Sequence, residues 1–150
     1  MRSMPARQAL AFSLAWVLTC AALGACGDEQ QPEGGNAKRY SGEQKGVAEV
    51  VDELQAASRD GDAARICDEL FTDKLAGVIS VRASGKPCEE PVRKQQLAEN
   101  ASIRVLAIRL HGAAASAHVR EQNGNRTTLE LVKQGGDWRI DSIAATRPKK

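Results

Sequence analysis

Residues 58–67 read SRDGDAARIC, and this short stretch sets where the first two helices part. Asp60-Gly61-Asp62 breaks one helix and offers Asp62 as the N-cap of the next, because a short carboxylate can accept hydrogen bonds from a helix's first free N–H groups. Upstream, Val47, Val50, Val51, Leu54 and Ala57 fall at i, i+3, i+4, i+7 and i+10, which is one stripe of an amphipathic helix opened near Ser41. Downstream, Ala63, Ile66, Cys67, Leu70 and Phe71 share one side of a second helix. Thr72 or Asp73 then caps a third segment, Lys74 to Val81, before Ser84-Gly85-Lys86-Pro87 turns the chain. A short surface helix starting near Glu89 or Pro91 follows.

After Asn100 the period changes. Ile103 to Leu110 is β-branched and leucine-rich, His111-Gly112 supplies a turn, and Ala114 to Glu121 alternates small or apolar residues with polar ones. Asn123-Gly124-Asn125 is a hairpin signal. Thr127 to Lys133 places Leu129 and Leu131 opposite Thr128 and Glu130. A turn at Gln134-Gly135-Gly136-Asp137 leads to a last strand whose inward face is read as Trp138, Ile140 and Ser142. Helices that run first and four strands that run last predict an α+β domain, with the helices on one face of an antiparallel meander. In Ile103 to Leu110 both alternating faces are apolar. Either a bulge shifts the register, or the outer face packs on a second copy, a candidate homodimer.

This order resembles the nuclear transport factor 2-like superfamily, and within it the small exported lipoproteins of actinobacteria and their relatives. The resemblance rests on Ser58-Arg59-Asp60-Gly61-Asp62 ahead of Ala63-Ala64-Arg65-Ile66-Cys67, and on the closing Gly136-Asp137-Trp138-Arg139-Ile140. It covers about Gly46 to Ala145 and departs at Gly112-Ala113-Ala114-Ala115, where the family often has Gly-Asp followed by Thr or Ser and Ala. It implies helices on a curved four-stranded sheet, a cystatin-like cone whose open end can hold a small ligand. Phe71, Leu129, Leu131, Trp138 and Ile140 are the candidate lining of that cone.

The first residues tell where the chain works. Arg2 and Arg7 are the only charges before Asp28, and Ala9 to Cys26 is uncharged and rich in Ala and Leu. That is the layout of an export signal. A membrane-spanning helix is the competing reading, but the run is short of the roughly 20 apolar residues that crossing requires, and no positive anchor follows it closely. Leu23-Gly24-Ala25-Cys26 resembles the bacterial lipobox, in which the peptidase cuts before a cysteine carrying a diacylglyceryl thioether. Cys20 is the rival, but Val17-Leu18-Thr19 lacks the small residue before it. Ordinary cleavage after Ala25 would leave a free thiol instead. The domains expected are a leader at 1–25, acylated Cys26 with a disordered tether at 26–45, the α+β domain at 46–146 and a basic tail at 147–150. Two or three acyl chains, palmitate or similar, hold a protein stably where one does so only marginally. The expected location is the extracytoplasmic face of the cell membrane, with membrane lipid as a partner through Cys26.

Without the leader the 21 Lys and Arg lose Arg2 and Arg7, leaving 19 against 19 Asp and Glu. A neutral chain whose aromatics are Tyr40, Phe71 and Trp138 offers neither the broad basic surface nor the stacking platform that nucleic acid needs. Cys67 and Cys88 remain and read as one disulfide in an exported chain. A metal pair would need CxxC or histidine companions that the sequence does not place nearby, and a nucleophilic cysteine would need a distant histidine. No cofactor and no metal are expected.

Catalysis finds little to work with. Isomerase-like relatives use a buried Asp with a Tyr and a second acid, and the only tyrosine, Tyr40, falls in the tether. Asp52 reads as solvated, Asp141 as facing solvent, and Asp68 as undetermined. His111 belongs at a turn and His118 on the sheet's outer face, too far apart for a joint site. Asn100-Ala101-Ser102 and Asn125-Arg126-Thr127 match the glycosylation acceptor pattern by accident. Two functions follow: a non-catalytic, lipid-anchored domain that binds a small apolar ligand or a partner protein, and, as the alternative, an isomerase- or hydrolase-like enzyme using the cone. A buried carboxylate beside a hydroxyl or imidazole in the cone would favour the second.

Overall fold

Helix α1 (Gly42–Asp60) begins at Ser41 and stops at Gly61, which takes the left-handed conformation at φ 72°. Glycine adopts that conformation without the steric cost a side chain would impose. Asp62 then accepts from the Arg65 N–H at 3.0 Å and starts α2 (Ala63–Arg65). This computed structural model describes residues 35–95 and 102–145, which belong to the compact unit Pro32–Lys150. The leader, Cys26, the tether before residue 35, Asn100, Ala101 and the basic tail lie outside the described residues. Helix α2 passes directly into a π-helical turn (Ile66–Leu70), closed by the Phe71 N–H donating to the Ile66 carbonyl at 2.9 Å. The wider turn buries Ile66, Cys67 and Leu70 together. Helix α3 (Asp73–Arg82) is capped by Thr72, whose hydroxyl accepts from the Leu75 N–H at 3.2 Å, and the short α4 (Glu89–Lys94) follows the turn at Ser84 and Gly85.

The four strands are β1 (Ile103–His111), β2 (Ala114–Glu121), β3 (Arg126–Gln134) and β4 (Asp137–Ala145), an antiparallel sheet in sequence order. The α+β expectation holds. Inward side chains Val105, Ala117, Leu131 and Ile140 are fully buried against Val47, Ala48 and Val51 of α1. Gly135 and Gly136, both at positive φ, make the tight β3–β4 hairpin that a two-residue loop demands.

Two bulges decide what faces where. The β1–β2 register shifts between Val105 and Ala107, so Leu106 is an extra residue. The doubly apolar run in β1 is therefore a bulge: Ile103, Val105 and Ile108 are buried, whereas Leu106 lies outside the ladder and is exposed. The second shift, between Glu130 and Leu131, makes Asp141 the extra residue of β4. Ser142 pairs with Glu130 on the outer face, contrary to its expected inward position, and Ile143 pairs with Leu129 on the inner face.

The folded unit also begins earlier than residue 46. Asn36–Arg39 form a 3-10 turn, and Asn36 is buried with every polar side-chain atom satisfied. Its Nδ2 donates to Asp52 Oδ1 at 2.7 Å and to the Ile103 carbonyl at 2.8 Å. Its Oδ1 accepts from the Val105 N–H at 2.8 Å and from Arg39 Nη2 at 2.8 Å. Asp52 is thus not a solvated carboxylate. It also accepts from the Asn36 and Ala37 backbone N–H groups, at 2.8 and 2.9 Å. A Cβ at Gly35 would collide with it. Residues 35–41, taken from composition as tether, are the clasp that joins α1 to the edge strand β1. Tyr40 likewise packs on the core.

Cys67 and Cys88 are bonded, joining the π-turn to the start of α4. Both are buried.

Candidate functional site

Phe71, Leu129, Leu131 and Ile140 are between 0% and 4% exposed and pack on one another and on the helices as core. Trp138 belongs to the same core at 7% exposed, and its edge borders open space. It stands at the wall of a groove of about 610 Å³ between α1, the π-turn and the β3–β4 hairpin. The sequence pattern could give inward direction but not whether the inward side chains leave a hole. At Gly46 α1 runs close to the sheet: a Cβ there would sit 3.0 Å from the Trp138 ring.

Trp138 is held by charge. Its Nε1 donates to Glu43 Oε2 at 3.1 Å, and Lys133 Nζ donates to both Glu43 oxygens at 2.7 and 2.9 Å. Lys133 Nζ also stands 5.8 Å from the indole ring centroid, within cation–π range. The Lys133 hydrogen bond, aided by that of Trp138, holds the Glu43 carboxyl below the usual carboxylate range. Other glutamates of the groove are ion-paired: Glu49 with Lys45, and Glu53 and Glu69 with Arg65. The groove is polar, charged and open. Neither Glu43 nor Lys133 could be assigned to it from sequence, since the contact joins positions 90 residues apart.

A carboxylate does stand beside a hydroxyl, but outside this groove. Asp141, read as solvent-facing, is partly buried at its bulge, where its Oδ1 accepts from the fully buried Thr72 hydroxyl at 3.1 Å. Lys74 pairs with its other oxygen, and the Thr72 N–H donates to the Ile140 carbonyl at 2.9 Å. The group clips the start of α3 to β4. The Lys74 hydrogen bond chiefly, with Thr72 assisting and burial opposing, holds Asp141 below the usual carboxylate range. A depressed folded-state pKa gives stability that is complete above the unfolded value, about 4, and lost as pH falls through the folded value. The urea midpoint is therefore expected to fall below about pH 4, and Asp141→Asn should flatten that fall. An unchanged acid limb in the variant would remove this role.

Asp68 is exposed, and its backbone carbonyl accepts from Arg139 at 2.8 Å. His111 is exposed at the end of β1. His118 lies on the outer face, as expected, with Nδ1 3.0 Å from the Thr128 hydroxyl. Among the described residues no group of three or more His, Cys, Asp or Glu is placed to hold a metal ion, and no helix is long and apolar enough to cross a membrane.

Helices laid across the concave face of a curved antiparallel sheet define the nuclear transport factor 2-like fold, and solved structures agree. A nuclear transport factor 2-like protein of unknown function from Silicibacter pomeroyi matches with TM-score 0.51 and 18% identity over 67% of this chain and 92% of its own. A second, from Shewanella baltica and also of unknown function, matches with TM-score 0.50 and 20% identity over 71% of this chain and 95% of its own. No protein-family model matches the chain, and no curated protein does. At these identities the likeness establishes the fold alone.

Proposed function

We propose that this chain is an exported, lipid-anchored, non-catalytic binding domain, and that its groove beside Trp138 takes a polar, charge-bearing ligand or a segment of a partner protein. The observation that supports this is the placement of Trp138, a large amphipathic side chain fixed by Glu43 and Lys133 at the wall of an open groove. A pre-set aromatic beside charged groups is what selective binding sites use. The groove's glutamates are committed to ion pairs, and the Asp141–Thr72 pair is committed to holding α3. An apolar small ligand fits this groove less well, because its lining is largely charged and polar. Acylation of Cys26 supplies the membrane attachment in this reading.

Native mass spectrometry of the protein released from its own membrane tests the site. A co-purifying polar species, lost in Trp138→Phe and reduced in Glu43→Gln, is the expected outcome. Retention of a wholly apolar molecule, unchanged in both variants, would contradict it.

A further inference from the structure

The outer face of the sheet carries a row that sheet chemistry normally avoids. Arg104 pairs directly with Arg120 across β1 and β2, and Arg120 pairs directly with Arg126 across β2 and β3. Strands lie about 4.8 Å apart, so three guanidinium stems stand within about 10 Å on one face. Like charges directly opposite are unfavourable in a sheet. Further along the same face come His118 beside Thr128, and then the row Arg109, Ser116 and Glu130, where Ser116 donates to Glu130 at 2.7 Å. The face is predominantly cationic although the mature chain is neutral.

The chain also enters the domain at this row. Asn36 and Arg39 bond to Ile103 and Val105, the two neighbours of Arg104. Arg39, exposed and bonded to the Val105 carbonyl, adds charge there. Nine residues separate Cys26 from Asn36. Even fully extended they reach no more than about 36 Å.

We infer that this arginine face docks on the anionic phospholipid headgroups of a bilayer. The inference rests on the anchored reading only for what brings the bilayer near: a short leash attached beside a cationic row presents that row to the surface and raises its effective concentration there. Each arginine near an anionic surface strengthens partitioning about fivefold, with the gain confined to a Debye length, so the contact weakens with salt. Docking this way points the opposite, concave side with its helices away from the lipid.

The test uses a chain starting at Gly27, without acyl groups, since the unit Pro32–Lys150 contains the whole described core and the disulfide. Its partition coefficient is measured by sedimentation with vesicles of phosphatidylcholine alone and of phosphatidylcholine with phosphatidylglycerol. Binding to the anionic vesicles only, reversed by salt, is expected. Replacing Arg104, Arg120 and Arg126 together by Gln should lower it roughly a hundredfold, while the triple Lys variant, which keeps the charge, should retain it. Circular dichroism confirms that each variant is folded. Equal binding to neutral vesicles, undiminished binding by the Gln variant, displacement by millimolar inorganic phosphate, or self-association that blocks vesicle binding would each overturn the inference. Arginine-dependent binding alongside a bare Cys26 in the native protein would uphold the face while removing the anchor, so the two failures are distinguishable.

Discussion

Asn36→Ala is expected to cost about 3 kcal/mol, read as a lower urea midpoint at unchanged slope. The side chain uses all its capacity: two donors to Asp52 and Ile103, two acceptor positions to Val105 and Arg39. Alanine would leave the Ile103 carbonyl and Val105 N–H without that partner in a buried edge, and such groups cost about 1–3 kcal/mol each when unsatisfied. The network should fail as a unit, so Asp52→Ala combined with Asn36→Ala should cost less than the two single effects added. Hydrogen exchange supplies an independent reading, with faster exchange at Val105 and at residues 36–41. A change within about 0.5 kcal/mol, typical of a surface substitution, would show that residues 35–41 are tether after all.

The second large effect is loss of the disulfide. Cys67 and Cys88 close a loop of 21 positions, and freeing it restores unfolded-state entropy of about 3 kcal/mol. Here the bond does more than close a loop, since α4 has no fully buried residue of its own and meets the core through Cys88 and the partly buried Val92. Replacing both cysteines by Ala should lower Tm by roughly 10–20 °C, with the largest gain in exchange over residues 84–95. An unchanged Tm in the double variant, or one restored by a reductant-insensitive contact, would show that the loop is held by packing alone.

These two sites show what was legible in the sequence. Signals confined to neighbours were readable: the Asp62 cap, the Thr72 cap, the hairpins at Gly124 and at Gly135-Gly136, and the two-residue alternation that put Leu129 and Leu131 inward. The cysteine pairing was readable because, once the chain is read as exported with Cys20 and Cys26 in its leader and lipobox, two thiols remain. What periodicity could not carry was a change of period by one residue. Leu106 and Asp141 are such insertions, and the second turned Ser142 outward. The π-turn at Ile66–Leu70 is a third, hidden inside an apparently helical stripe.

The candidate site was less legible for a related reason. Asn36 and Asp52 looked solvated because their own surroundings in sequence are polar. Asn36 finds partners on β1, 67 and 69 positions away, and Asp52 finds its own in Asn36 and Ala37, 16 and 15 positions back. Direction inward was read correctly for Phe71 and Ile140, but the space left beside Trp138 depends on how near α1 approaches, and Gly46 lies against that ring. The groove, with Glu43 and Lys133, exists only after that approach. The arginine row likewise appears only once the register aligns three residues spread over three strands.

The proposed attachment at Cys26 would join the groove, the leash and the cationic face, and intact-protein mass spectrometry of material extracted from its own membrane is its decisive test. The account expects a chain beginning at Cys26 whose mass exceeds that of the polypeptide by a thioether-linked diacylglyceryl group, with or without an amide-linked acyl chain. A leader still attached, or a first cysteine bare of lipid, would contradict it.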